Sequence, residues 1–135
     1  GFIKNGGMNA EALVMFDLTK ADLVKYRRKR AGHLQCKGRY LAAQILAMLE
    51  NNLWLSNARS ANSAAQEVAA ACSDRLLHPV EANELFVHLN EAERKNLRDQ
   101  GFEFYDWGET AARFVTAWNT RQDHALSLAK ALKSL

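Results

Sequence analysis

Residues 84–89 of the 135-residue chain read Glu-Leu-Phe-Val-His-Leu, with an aliphatic residue at every second position. This period of two is typical of a β-strand that packs one face on a core. Asn90 and Glu93 follow at the spacing of a capping box, which predicts a short helix that ends at Gly101. The segment therefore predicts a strand followed by a helix.

Two more strands are predicted downstream, over residues 102–105 and 112–118, with a hairpin turn at Asp106-Trp107-Gly108. Thr120 is expected to begin the last helix, which repeats apolar residues at helical spacing. The order β-α-β-β-α indicates an α+β fold. We expect a small, mostly antiparallel sheet with helices on one face.

Three helices are predicted upstream of this sheet. The first begins with a capping box, Thr19 and Asp22, and ends at Gly32. The second starts near Gly38 and stops at the pair Asn51-Asn52, and the third starts near Leu53. An alanine-rich stripe on the third helix predicts core or subunit packing; it comprises Trp54, Ala58, Ala61, Ala65, Val68 and Cys72.

The first residues of the chain carry a glycine-rich segment and then a short apolar run. Residues 1–9 contain three of the seven glycines, which indicates a tight turn where backbone approaches backbone closely. The run Ala12 to Phe16 predicts a strand buried on both faces. Because this strand lacks partners here, we expect residues 1–20 to pack poorly. The natural division lies near residue 50, between residues 1–50 and residues 51–135.

Composition limits the class of protein. A content of 48% hydrophobic and 24% charged residues is globular, and no apolar run is long enough to span a membrane. We expect a soluble, cytoplasmic protein whose two cysteines are reduced, with no metal site. The basic run of residues 25–30 leaves open a small nucleic-acid-binding protein, although such runs are usually solvated helix faces.

Two stretches carry a resemblance to a known family. Residues 4–12, Lys-Asn-Gly-Gly-Met-Asn-Ala-Glu-Ala, resemble the cofactor-lysine segment of the low-specificity threonine aldolases and phenylserine aldolases. Residues 26–34, Tyr-Arg-Arg-Lys-Arg-Ala-Gly-His-Leu, resemble the segment that follows in that family. Weaker matches recur in the same order at Trp54-Leu55 with Asn57-Ala58, at Glu81-Ala82-Asn83 and at Ala112-Arg113-Phe114-Val115-Thr116.

The resemblance implies a fold, a cofactor and an activity. Residues 51–135 would be the C-terminal small domain of a fold type I pyridoxal-phosphate enzyme, and residues 1–50 the tail of its large domain. The complete enzyme would use pyridoxal 5'-phosphate to cleave a β-hydroxy-α-amino acid, such as threonine or phenylserine, into glycine and an aldehyde. It would be a homo-oligomer, a dimer or a tetramer.

The resemblance also implies roles for individual residues. Lys4 would carry the cofactor, and Arg113 would hold the substrate carboxylate through a planar, bidentate contact. Lys29 and Lys37 are further candidates for binding a carboxylate or phosphate at a subunit boundary. Each has an alternative: Arg113 as an exposed arginine on an edge strand, and the two lysines as solvated helix charges.

The rest of the cofactor site would come from the N-terminal part of the family's enzymes. We therefore expect this chain to be inactive by itself. A non-catalytic association module, derived from such an enzyme, remains an alternative function.

Overall fold

The computed structural model describes residues 1–135, which form two compact units, Gly1–Trp54 and Leu55–Leu135. No helix in it combines the length and the apolar character that crossing a membrane requires. The assignment of residues 1–50 and 51–135 to the domains of a larger enzyme stays a prediction.

The first unit contains two helices, α1 (Ala21–Arg30) and α2 (Arg39–Leu49), and two short 3-10 turns, Ile3–Asn5 and Leu18–Lys20. The predicted helices are confirmed, and Gly32 adopts the left-handed conformation (φ 78°) just beyond α1. The predicted capping box is wrong. Asp17 accepts a hydrogen bond from the Thr19 amide and so caps the preceding 3-10 turn, while Lys20 at the start of α1 makes no capping bond.

The strand predicted at Ala12 to Phe16 does not form in this chain. Residues 11–15 have no regular secondary structure, and Leu13, Val14 and Phe16 are 75%, 72% and 96% exposed. A strand needs neighbours for its backbone N–H and C=O groups, and no other segment pairs with this one. The apolar run is therefore left in solvent, in agreement with the expectation that this segment packs poorly.

Helix α3 (Leu53–Ala71) begins just before the second unit and continues into it. It is followed by β1 (Glu84–His88), α4 (Glu91–Asp99), β2 (Tyr105–Trp107), β3 (Ala111–Val115) and α5 (Gln122–Lys133). The predicted β-α-β-β-α order is confirmed. The capping box of α4 is confirmed as well, since the Asn90 side chain accepts from the Glu93 amide and the Glu93 carboxylate accepts from the Asn90 amide.

The three strands form one antiparallel sheet in the order β1-β3-β2. Arg113 on β3 is the register partner of Phe86 on β1 and of Tyr105 on β2. The predicted strand and turn bounds were wrong by a few residues. Asp106 and Trp107 belong to β2, and the turn lies between Trp107 and Ala111, with Gly108 at φ 63°.

The core of the second unit lies between one face of this sheet and helices α3, α4 and α5. Leu85 and Val87 of β1, with Ala112 and Phe114 of β3, supply the sheet side. The alanine-rich stripe packs against it: Ala65 and Val68 are fully buried, so core packing is confirmed for that part of α3. The core residues of the helices pack on this one face of the sheet, and none of them packs on the opposite face.

The start of α5 differs from the prediction. Arg121, not Thr120, precedes the helix, and it makes no side-chain capping bond. The Thr120 hydroxyl instead accepts a hydrogen bond from the Ala117 amide at 2.8 Å. Thr120 thus closes a turn before the helix, a local role that threonine fills as readily as capping.

One buried arginine, which the sequence did not reveal, holds the β2–β3 turn. Arg94 on α4 is 9% exposed and donates to the carbonyls of Glu109 (2.7 Å), Gly108 (3.3 Å) and Ala111 (3.5 Å). Its Nη1 also lies 3.4 Å from a carboxylate oxygen of Asp106. The guanidinium thereby supplies donors to turn carbonyls that otherwise have few partners.

Replacing Arg94 with Met should destabilise the chain by about 2–4 kcal/mol, because several carbonyls lose a charged donor in a buried place. Urea unfolding followed by circular dichroism measures this free energy. Lys95→Met is the matched control, since Lys95 is exposed and forms only a surface ion pair with Asp99. Its effect should stay below about 0.5 kcal/mol. Equal effects of the two substitutions would contradict the role given to Arg94.

Candidate functional site

Lys4 lies in the 3-10 turn Ile3–Asn5, with its side chain exposed. The turn is closed by the Asn5 and Gly7 amides, which donate to the Phe2 carbonyl at 3.0 Å and 2.8 Å. The Asn5 side chain ties the turn to the Trp54 carbonyl, to which it donates at 2.9 Å. A Cβ at Gly7 would lie 3.0 Å from the Phe2 carbonyl oxygen. The close backbone approach expected for this segment is therefore present. The Lys4 ammonium takes part in no hydrogen bond or ion pair.

Lys29 and Lys37, the other lysine candidates, are exposed and lie on separate elements of the first unit. Lys29, in the last turn of α1, borders a pocket of about 390 Å³ with Leu23, Tyr26, Arg27 and Arg30. Lys37 precedes α2 and has a left-handed backbone (φ 57°). Neither forms an ion pair, which is also what solvated surface charges do.

Arg113 is half-buried on β3, the central strand of the sheet. It is therefore not an arginine on an edge strand. Its Nε is buried and has no hydrogen-bond partner, and its two terminal nitrogens also bond to no other group of the chain. A buried donor without a partner costs about 1–3 kcal/mol, so an arginine in this state calls for an explanation.

The contacts around Arg113 are aromatic. Its guanidinium carbon lies 5.1 Å from the centre of the Tyr105 ring, within the range of a cation–π interaction. Phe86, its partner on β1, packs edge-on against Trp107 at 4.9 Å between ring centres. These two rings meet across β3 above Ala111, which is only 1% exposed. The outer face of the sheet thus carries one cation, Arg113, and several aromatic side chains.

The strands that hold this face are locked together beside Arg113. Asn83 donates through its side chain to the Thr116 carbonyl at 2.7 Å, and the Thr116 amide donates back to the Asn83 carbonyl at 3.0 Å. The Thr116 hydroxyl, buried with its residue, donates to the Ala61 carbonyl of α3 at 2.7 Å. Asn83 and Thr116 are the last residues of two of the weak sequence matches. Those matches therefore coincide with the hydrogen bonds that join these two segments.

Two ionic contacts join α4 to neighbouring segments of the second unit. Arg98 donates to Asp106 at 2.7 Å, and this hydrogen bond lowers the pKa of the Asp106 carboxyl. Arg75 donates to Glu93 at 2.7 Å. Although burial alone would raise the pKa of Glu93, the hydrogen bonds from Arg75 and the Asn90 amide bring it below the ordinary value. These acidic groups are committed to structure.

Sequence comparisons identify what the chain resembles. It is 35% identical over 140 residues to a low specificity L-threonine aldolase of Pseudomonas sp. (strain NCIMB 10558), and the match covers 100% of this chain. A low specificity L-threonine aldolase of Pseudomonas aeruginosa is 37% identical over 138 residues, which cover 98% of this chain. The resemblance to the threonine aldolase family is confirmed. In both cases the chain spans 40% of the relative's length, and it corresponds to the C-terminal part.

Solved structures agree with the fold assignment. The threonine aldolase of Leishmania major superposes with a TM-score of 0.73 over 82% of this chain and 34% of its own length. At 24% identity this match shows the fold alone. The predicted α+β fold, that of the C-terminal part of a fold type I enzyme, is confirmed. No protein-family model matches the chain.

These matches agree with pyridoxal 5'-phosphate as the cofactor of the complete enzyme. The roles predicted for Lys4, Arg113, Lys29 and Lys37 stay predictions. Lys4, Lys29 and Lys37 belong to the first unit and Arg113 to the second. Sequence reasoning missed Tyr105, whose position opposite Arg113 depends on the register of β2 and β3.

The two cysteines differ in their access to solvent. Cys36 is exposed, whereas Cys72, at the end of α3, is 1% exposed in the core. Burial raises the pKa of the Cys72 thiol to about 11. Since the thiolate is the reactive form of cysteine, Cys72 is an inert packing residue.

A thiol reagent such as dithionitrobenzoate should therefore modify one cysteine quickly at pH 8 in the folded chain, and the second only after unfolding. Cys36→Ser should remove the fast phase entirely. Because the pKa of Cys72 is raised in the folded state, its contribution to stability is complete below the ordinary value of 9.0 and is lost as the pH rises toward about 11. Fast labelling of both thiols in the folded chain would contradict this assignment.

Proposed function

We propose that this chain is part of a pyridoxal-phosphate-dependent aldolase that cleaves β-hydroxy-α-amino acids, of the threonine or phenylserine type, to glycine and an aldehyde. The similarity that spans the whole chain, at 35% and 37% identity to two low specificity L-threonine aldolases, carries this proposal. Since the chain spans 40% of each relative, activity, substrate and oligomeric state of the complete enzyme belong to the proposal.

Lys4 is the residue proposed to carry the cofactor. Its ammonium is exposed and is not engaged by a neighbouring carboxylate, so its amine is accessible to an aldehyde. The turn around it, closed by Gly7 and Asn5, fixes the backbone from which it extends. When bound, pyridoxal 5'-phosphate supplies an electron sink for the bond that breaks at the amino acid's α-carbon. The exposed amine of Lys4 thus suits the aldehyde group of the cofactor.

Arg113 is proposed to bind the α-carboxylate of the amino acid. Its terminal nitrogens bond to no group of the chain, and a guanidinium edge matches a carboxylate with two parallel hydrogen bonds. Two such bonds fix the orientation of the α-carbon, and this orientation decides which of its bonds breaks. Lys29 and Lys37 are proposed as secondary anion contacts, supported only by their unpaired, exposed charges.

The chain by itself should form no lasting adduct with pyridoxal 5'-phosphate and should not cleave threonine or phenylserine. A free amine binds an aldehyde reversibly in water, and a lasting adduct needs a pocket that excludes water. Borohydride reduction followed by peptide mapping measures how far Lys4 is modified, and the exposed Lys20 is an internal control. A stoichiometric adduct specific to Lys4, with turnover, would contradict the proposal that this chain alone is inactive.

A complete enzyme separates the two proposed roles. It can be built by placing, before Gly1, the part of the Pseudomonas aeruginosa relative that this chain does not span. Arg113→Ala should raise the Michaelis constant for L-threonine at least ten-fold, because losing one partner of a desolvated charged pair costs about 3–5 kcal/mol. The spectrum of the bound cofactor should remain. Transamination should also rise relative to cleavage, since the α-carbon is less constrained.

Lys4→Ala is the complementary variant, which should abolish the borohydride-stable adduct with the cofactor. Arg113→Lys is the matched control, because it keeps the charge and loses the planar pair of donors. If Arg113→Ala leaves the Michaelis constant unchanged, the carboxylate role passes to Lys29 or Lys37.

A further inference from the structure

Arg113 differs from the other arginines of the second unit that are withdrawn from solvent. Arg75 is paired with Glu93, and Arg94 donates to three carbonyls. Arg113 has no such partner, and its guanidinium contacts the ring of Tyr105. Its guanidinium is therefore held by the contact with the Tyr105 ring and by strand geometry, without side-chain hydrogen bonds.

Stacking and hydrogen bonding use different parts of a guanidinium. An aromatic ring covers its flat face, whereas the N–H donors point outward in the plane of the group. A residue that stacks on the face therefore limits rotation and leaves the donors free. A carboxylate partner within the protein would limit rotation too, but it would occupy the donors that a ligand needs.

The burial of Nε determines which donors remain open. Nε is buried, whereas the two terminal nitrogens, which also lack a partner in the chain, are not fully buried. The open side of the fork is therefore its terminal, Nη1–Nη2 side. A carboxylate that approaches there can accept two hydrogen bonds while Tyr105 stays on the face of the group.

Strand pairing keeps Tyr105 in this place. Tyr105 is the direct partner of Arg113 in the β2–β3 register, so both side chains project from the outer face as cross-strand neighbours. The β2–β3 turn is held by Arg94, and Asp106, the next residue on β2, accepts from Arg98. The backbone that carries the ring is thus fixed on the helix side of the sheet.

From this geometry we infer that Tyr105 is a positioning residue for Arg113, which it orients by stacking so that the terminal nitrogens are presented to the amino-acid carboxylate. The inference rests on the proposed function for its ligand. The phenol hydroxyl has no part in it, because the ring face makes the contact.

The ligand-free test uses the chain itself. Nuclear magnetic resonance of the Arg113 side chain, assigned through Arg113→Lys, should show restricted rotation of the guanidinium and ring-current shifts. Tyr105→Phe should retain both signatures, and Tyr105→Leu should lose both. Tyr105 is 70% exposed, so neither substitution should disturb folding, and thermal unfolding checks that. Unchanged Arg113 signals in Tyr105→Leu would overturn the inference.

The complete enzyme supplies the second readout. Tyr105→Leu should raise the Michaelis constant for L-threonine roughly two- to ten-fold, the range expected for a cation–π contact of this exposure, with a much smaller change in kcat. Tyr105→Phe should restore the original value. If Arg113→Ala raises the Michaelis constant and Tyr105→Leu does not, the positioning role is wrong while the proposed function stands. If neither variant raises it, the proposed carboxylate role of Arg113 fails, and the positioning role fails with it.

Discussion

The pairing of β3 between β1 and β2 is the constraint on which the second unit depends. Successive side chains of a strand point to opposite faces, so burying Ala112 and Phe114 against the helices forces Arg113 to the outer face. A shift of register by one residue would place the guanidinium in the core. The apolar packing of one face and the chemistry of the other are thus fixed together.

The first unit follows a different physical rule. Its helices form, yet Val14 and Phe16 remain in solvent, and Met48 is the only residue of α2 that is buried. A segment so exposed gains little free energy from burial, since that gain scales with the apolar area removed from water. The apolar residues 12–16 favour a strand that is buried on both faces. Such a strand forms only when neighbouring strands are present to pair with it. The relatives extend well beyond the length of this chain, so their additional residues are available as such neighbours.

Elements governed by local rules were predictable from the sequence. The Asn90–Glu93 capping box and the break at Asn51 and Asn52 depend on neighbours in sequence, and each is confirmed. The strand at residues 84–88 also forms, because this chain contains its partner strand β3. The strand at residues 12–16 failed because it depends on distant partners. The cap at Thr120 failed because threonine can close a turn as well as begin a helix. The resemblance of the chain to the threonine aldolases was predictable from two stretches, whereas the contacts around Arg113 were not.

The contrast between Arg94 and Arg113 explains why that arrangement was hidden. The residues next to Arg94 and Arg113 in the sequence do not reveal which groups each guanidinium contacts in the fold. Arg94 directs its donors at the carbonyls of a turn that lies fifteen or so residues away, and this commits it to structure. Arg113 has aromatic residues as its register partners on both neighbouring strands and contacts the ring of Tyr105, so its donors stay uncommitted.

What separates an arginine committed to structure from one with free donors is therefore the chemistry of its neighbours, and those neighbours are assembled only by folding. Carbonyl and carboxylate oxygens satisfy a guanidinium and leave nothing for a ligand. Aromatic faces hold it in place at its flat surface and leave its edge available. Because the register of three strands selects Tyr105 and Phe86 as the neighbours of Arg113, the same pairing that stabilises the sheet also leaves one cation on it with unused donors.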